Sequence, residues 1–362
     1  MDGIFKKTNF FLESYTSHGL CSFFDELYEP DSVRRAYLVT GGISSACSML
    51  IRLVTDSAEQ RGLCTHRISN ALCSHQLDAV YFPQLGVCLS NGGERGIVAP
   101  RYPVTAEEIC SISECLDSAK LREGAQEIRR LYDERNQLKA RASGFMTAAQ
   151  ALINDSRSIA RRYMDSEKVH RYASRLARRE FPAREGHRGR EYRRFLSSVT
   201  ARGVEAYSHT LAGLCERFYI FCDRYGAVNE LLMELIRDYA LSAGYDVISC
   251  YCAVSMTVEH VIVPELELCF FSDKTYHSSE FIDKRKINYN RFTDIKAMSE
   301  CKKRLSFNRR GAEEMLSQAV GLLGAAEGMQ KRLDFMYFSC MDKARMSSIA
   351  DRITKEIMSM QK

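Results

Sequence analysis

Apolar positions follow the same course twice along the chain. Residues 37–40 and 218–222 each form a short apolar run of strand length, closed by a turn. After the turn the spacing becomes helical: Leu231, Leu232, Leu235, Ile236, Tyr239 and Ala240 fall on a single helix face. Gly62 and Gly244 stand where the two helices would close, because glycine tolerates the left-handed backbone of a helix C-terminus. Further strands are predicted over 65–69 and 246–251, and over 86–90 and 267–271. Strands alternating with helices imply an α/β fold, with a mainly parallel sheet and helices on its faces.

Elsewhere the pattern is helical. The six prolines fall at 30, 83, 100, 103, 182 and 264, so 104–181 and 265–362 contain none. Ile128, Leu131, Arg135, Leu138, Ala142, Phe145, Ala149 and Leu152 are spaced by alternating threes and fours. Met315, Ala319, Leu322, Ala326, Met329, Leu333, Met336 and Cys340 repeat that spacing. Each set is a heptad seam, which suits a coiled-coil hairpin or a contact between two arms. Arg135 is out of place on such a seam.

The two courses are copies of one another. Phe11-Leu12-Glu13-Ser14-Tyr15-Thr16-Ser17-His18-Gly19 and Phe195-Leu196-Ser197-Ser198-Val199-Thr200-Ala201-Arg202-Gly203 share F-L-x-S-x-T-x-x-G, 184 residues apart (195 − 11). Arg35-Ala36-Tyr37-Leu38-Val39 answers Arg217-Phe218-Tyr219-Ile220-Phe221 at 182 (217 − 35). Pro83-Gln84-Leu85-Gly86-Val87-Cys88 answers Pro264-Glu265-Leu266-Glu267-Leu268-Cys269 at 181 (264 − 83). An offset that drifts so little over a half-domain marks an internal duplication. The expected boundaries are a first α/β half-domain over 1–103, a first helical arm over 104–181 and a basic linker over 182–194. A second half-domain over 195–300 and a second arm over 301–362 complete the chain.

Composition adds little until charge is located. The 362 residues are 45% apolar and 27% charged, ordinary values for a globular protein able to bury two cores. No run approaches the ~18 apolar residues of a membrane span. The start, Met1-Asp2-Gly3-Ile4-Phe5-Lys6-Lys7, lacks a secretory leader, so a cytoplasmic protein with no membrane partner is expected. The fourteen cysteines include no C-x-x-C and the eight histidines no H-x-x-x-H, which argues against a metal centre. Residues 157–194 carry thirteen Lys/Arg against five Asp/Glu, a net of +8 (13 − 5). That stretch can bind nucleic-acid phosphates, meet an acidic surface of a partner or of this chain, or simply face solvent.

The turn after the first strand is where a phosphate-binding loop, G-x-x-x-x-G-K-[ST], would sit. Such a loop needs glycines for close backbone approach, a lysine for the β- and γ-phosphates and a hydroxyl for Mg²⁺. The first copy has Gly41-Gly42-Ile43-Ser44-Ser45-Ala46-Cys47-Ser48, with Ala46 replacing a glycine and Cys47 the lysine. The second has Asp223-Arg224-Tyr225-Gly226-Ala227-Val228-Asn229-Glu230. Candidate nucleotide-binding residues are therefore Gly41, Gly42, Ser44, Ser45, Cys47 and Ser48, with Gly226, Asn229 and Glu230 as their degraded counterparts. A thiol at a helix N-terminus can be reactive, so Cys47 reads either as a nucleophile or as a small filler of the lysine's space.

On these features the whole chain resembles a poorly characterised bacterial family of tandem P-loop ATPase-like proteins. The family's first loop is G-G-x-G-T-G-K-S and its second G-R-x-G-T-G-K-S. Its I-I-P-E-L strand entry is matched by Val80-Tyr81-Phe82-Pro83-Gln84-Leu85 and Val261-Ile262-Val263-Pro264-Glu265-Leu266. Its D-G-T-x-P-H turn falls on Asn91-Gly92-Gly93-Glu94-Arg95-Gly96 and on Ser272-Asp273-Lys274-Thr275-Tyr276-His277, where only His277 keeps the histidine. A proline turn is kept as Ala99-Pro100-Arg101-Tyr102-Pro103. The resemblance implies two tandem P-loop NTPase-like domains with helical arms, both Walker A loops degenerate. ATP–Mg²⁺ is the implied cofactor, held weakly and in the first repeat only, with no catalytic or metal-ligating residue assigned. In the second copy Glu230 would set a carboxylate about 4 Å from phosphate, a cost of roughly 4 kcal/mol. The expected role is a non-hydrolysing regulatory or interaction protein that meets a protein partner, or itself, through its arms. The alternatives are weak ATP binding in the first repeat and nucleic-acid binding through 157–194.

Overall fold

The computed structural model describes residues 7–28, 33–92, 102–184, 186, 188–273 and 286–361. The first half contains β1 (Thr8–Phe11), β2 (Glu13–Thr16), β3 (Gly19–Ser22), β4 (Arg35–Thr40), α1 (Ser44–Gln60), β5 (His66–Ser69), β6 (Leu77–Phe82), β7 (Val87–Asn91) and β8 (Glu107–Ser111). Helices α2 (Ser118–Glu123), α3 (Ala125–Arg161) and α4 (Ser166–Glu180) follow. The second half contains β9 (Glu191–Arg194), β10 (Ser197–Thr200), β11 (Gly203–Ala206), α5 (Ser208–Leu214), β12 (Arg217–Cys222), α6 (Ala227–Ser242), β13 (Val247–Tyr251), β14 (Val258–Val263), β15 (Leu268–Asp273) and β16 (Lys286–Asn288). It ends in α7 (Ile295–Met298), α8 (Lys302–Ser339) and α9 (Lys343–Ser359).

Each half builds a six-stranded sheet, ordered β1-β5-β6-β7-β4-β8 in the first and β9-β13-β14-β15-β12-β16 in the second. The two orders are the same, element for element, so the duplication extends to the topology. The sheets are mixed, which corrects the mainly parallel expectation. β6 runs antiparallel to β5 and β7, and β14 to β13 and β15. The reason is connection length: residues 70–76 and 83–86 are too few for the dozen or so a parallel crossover needs. These two returning strands were visible in the sequence only as strand entries before a proline.

Two boundaries also move. The arm expected from 104 first supplies β8, which pairs with β4 in parallel from Ala36↔Glu107 to Thr40↔Ser111. The linker expected over 182–194 supplies β9, an edge strand paired with β13. Beyond these, α3 and α8 pack along one another. Ile128, Leu131, Ala142 and Ala149 are buried on one helix and Ala319, Ala326 and Leu333 on the other. Gly311 sets the closest approach, because a Cβ there would lie 2.8 Å from Leu152 Cδ1. Arg135 is buried on this seam, where it donates to Gln330 Oε1 on α8 and lies 4.6 Å over the Tyr132 ring.

The arms cross. Helix α4, at the end of the first arm, packs on α6 of the second half, joining Val169, Ala173 and Leu176 to Leu232 and Ile236. Helix α9, at the end of the second arm, packs on α1 of the first half, joining Met346, Ala350 and Ile353 to Leu50 and Val54. Each crossing is tied by a tyrosine of the central strand. The Tyr37 hydroxyl donates to Glu356 Oε2 at 3.2 Å and the Tyr219 hydroxyl to Glu180 Oε1 at 2.6 Å. The halves meet about a pseudo-two-fold axis. Phe11 and Phe195 exchange backbone hydrogen bonds of 2.9 Å, and Ser14 Oγ lies 2.7 Å from Ser198 Oγ.

Candidate functional site

The site to be tested is the corner between β4 and α1, with its copy between β12 and α6. In the first corner only residues 41–43 separate strand from helix. Gly41 has a φ of +82°, and a Cβ there would lie 2.5 Å from Ser111 Oγ, so the turn requires glycine. Helix α1 already begins at Ser44, which corrects the expected loop: Ser44, Ser45, Cys47 and Ser48 are helical. Alanine at 46, a strong helix former in the place of a loop glycine, suits that early start.

The side chains expected to face a nucleotide are engaged within the chain. Asn91 Nδ2 donates to Ser44 O at 2.9 Å and to Ser44 Oγ at 2.8 Å. Ser45 Oγ donates to Asp334 Oδ1 on α8 at 2.5 Å. Ser48 Oγ accepts from the Leu77 N–H at 2.7 Å, and Cys47 is fully buried with its thiol 3.9 Å from Gly42 O. Of the two readings of Cys47, burial in the apolar core favours the filler.

The second corner holds a carboxylate. Asp223 Oδ1 accepts from the Tyr225 N–H at 3.0 Å, and Oδ2 from the N–H groups of Val228 at 2.8 Å and Asn229 at 3.0 Å. It is 2% exposed, with Gly226 at a φ of +78° completing the turn. Asn229 Nδ2 donates to Phe221 O at 3.1 Å and to Ser272 Oγ at 2.6 Å, filling the space of the missing lysine. Glu230 Oε2 lies 3.3 Å from Arg157 Nε and 2.5 Å from Arg161 Nη2, both on α3. Asp223, Arg157 and Asp334 are the groups that sequence reasoning missed. Only Asp223 left a signal, an acidic residue just before a helix start.

In front of α1 lies a cavity of about 530 Å³, lined by Glu13, Asp78, Arg135 and Lys139 among others. Asp78 is held by Asn70 Nδ2 at 3.0 and 3.2 Å. Cys73 also borders the cavity, and burial, with Glu327 and Asp334 nearby, pushes its thiol up to about 12. The matching space before α6 measures only about 120 Å³. Residues 93–101 and His277 lie outside the described residues.

The basic stretch is partly consumed by contacts to acids. Arg193 and Arg194 meet Glu26, Arg179 meets Glu180, Arg184 meets Glu265, and Arg157 and Arg161 meet Glu230. Among the described residues no group of His, Cys, Asp and Glu is placed to hold a metal ion, and no helix is long and apolar enough to cross a membrane. Comparison with known protein families, with curated proteins and with solved structures finds no match for this chain.

Proposed function

We propose that this chain is a diverged, non-hydrolysing relative of the tandem P-loop ATPase-like proteins, acting as an interaction or regulatory protein. The observation that carries the reading is the Asp223 carboxylate. It takes the backbone N–H groups at the start of α6 that a bound phosphate would need. In the first corner Asp334, brought in by the second arm, lies against Ser45 and adds a fixed anion there too. One carboxylate at ~4 Å from a phosphate charge costs roughly 4 kcal/mol, about a thousandfold in affinity. Neither corner has a lysine to offset it, and phosphoryl transfer depends on positioned positive charge.

A protein partner bound through the arms is favoured by two large aromatic side chains that α8 leaves in solvent, Phe307 and Phe335, exposed by 55% and 77%. The arginines of 157–194 that pair with Glu26, Glu180, Glu230 and Glu265 favour an intramolecular role for that stretch over nucleic acid. Calorimetric titration of ATP–Mg²⁺ into the full chain tests the reading. The expected result is no saturable heat up to about 1 mM, a Kd limit equivalent to about −4 kcal/mol. Micromolar binding, or turnover above background, overturns it.

A further inference from the structure

The duplication supplies an internal control for the cavity before α1. The pairing of Leu116 with Met341 recurs as Thr293 with Met164, which sets the arm-to-arm offset at 177 (293 − 116 and 341 − 164). By that offset Arg135, Lys139 and Gln330 correspond to Ala312, Leu316 and Ile153, and both sets line their respective cavities. On the sheet side Glu13 corresponds to Ser197 through the Phe11–Phe195 pairing, while Asp78 corresponds to Glu259. The same frame thus exists in two versions. One is mostly apolar and nearly closed at about 120 Å³. The other carries two cations and two acids around about 530 Å³.

Burying charge is costly, and replacing it by well-packed apolar groups is often neutral or stabilising. The second half shows that this frame packs with alanine, leucine and isoleucine at those arm positions. Its own lining cations are engaged elsewhere: Arg157 with Glu230, Arg309 with Glu313, and Arg224 over the Tyr225 ring. The charges of the first half are therefore not demanded by folding.

Their signs and placement describe a ligand. The acids, Glu13 on β2 and Asp78 on β6, stand on the sheet wall, and the cations, Arg135 and Lys139, on the facing arm α3. Two charges of each sign cancel, so a polyanion gains nothing overall, whereas a molecule bearing one charge of each sign meets both walls. Tyr15 and Tyr132 add apolar faces, and the volume falls in the usual range of small-molecule sites, roughly 300–1,000 Å³. We propose that this cavity binds a small zwitterion of the amino-acid or dipeptide class, its carboxylate toward Arg135 and Lys139 and its ammonium toward Glu13 and Asp78. The site is independent of the reading of the two corners as lost nucleotide sites.

The test uses the full chain and the twenty common amino acids, with glycylglycine and alanylalanine as dipeptides, each first in a thermal-shift assay and then by calorimetry. The expected result is at least one saturable binder. Its affinity should fall tenfold or more in the double variant Arg135→Ala/Lys139→Leu, which copies the residues of the second half. Glu13→Ser, copied in the same way from the other wall, should also weaken it at least tenfold, and serves if the double variant fails to fold. Absence of any binder in the wild-type chain overturns the proposal. So does a binder whose affinity is unchanged in the folded variants, or a preference of the cavity for ATP over every zwitterion.

Discussion

Replacing Asp223 by alanine removes the acceptor of three backbone N–H groups at the start of α6. Hydrogen bonds to a charged acceptor are each worth about 1.5–3 kcal/mol net, but loss of one helix cap seldom costs more than about 2 kcal/mol. The larger limit assumes that no water enters, and Asp223 is 2% exposed, so only part of the loss can be recovered. The two limits place the expected destabilisation at roughly 2–4 kcal/mol. Urea unfolding followed by circular dichroism measures it. The vacated N–H groups also form an anion site in the variant that the native chain closes with its own carboxylate. Sulfate should therefore raise the unfolding midpoint of Asp223→Ala by more than it raises that of the wild type, which shows only the general salt effect. A loss below about 1 kcal/mol, with equal sulfate responses, would mean that water already serves these groups. The self-occupied corner would then be refuted.

Two further outcomes follow from the crossed arms and the second sheet. Glu180 accepts from Arg179, Arg217 and Tyr219. Burial alone would raise its carboxyl, but the bonds from Tyr219 and Arg179 and the charge of Arg217 outweigh burial and hold it below its ordinary 4.5. A carboxyl so held stabilises the fold above its ordinary value, and that contribution is lost as pH falls through the lowered one. Glu180→Gln should thus cost about 1–2 kcal/mol at neutral pH, discounted because both arginines are half exposed, and progressively less in acid. Equal deficits at pH 7 and pH 3 in urea unfolding would contradict this. At Gly189 a Cβ would lie 1.9 Å from the Tyr245 carbonyl oxygen, a backbone atom with little freedom to move. Gly189→Ala should destabilise the second half by about 3 kcal/mol and speed amide exchange in β9, whereas an unchanged midpoint would show that the turn has room to shift.

What could be read in the sequence was whatever local spacing encodes. The duplication, the central strands β4 and β12, the apolar faces of α1 and α6 and the two long seams all rest on periodicities within one element or on repetition between copies. The degraded loops were equally legible, because missing glycines and lysines are a property of eight consecutive residues. The direction of β6 and β14 was obscured by reading their residues as approaches to a proline, although the shortness of the flanking connections already required an antiparallel return. Other features had no local signature at all. Because the halves are copies, α1 and α6 present like faces, and no pattern says which of them α4 or α9 will cover; the crossing is decided by where the long helices end in space. Asp334 lies 289 residues from Ser45 and Arg157 far from Glu230, yet the arms lay each against a helix start. The first corner had gained no anion in its own segment, and only the tertiary structure supplies one. The same holds for the cavity. Arg135 reads as an error on an apolar seam until folding sets it opposite Glu13 and Asp78, because the energy of a buried charge depends on what faces it, and that is fixed only when the chain has closed.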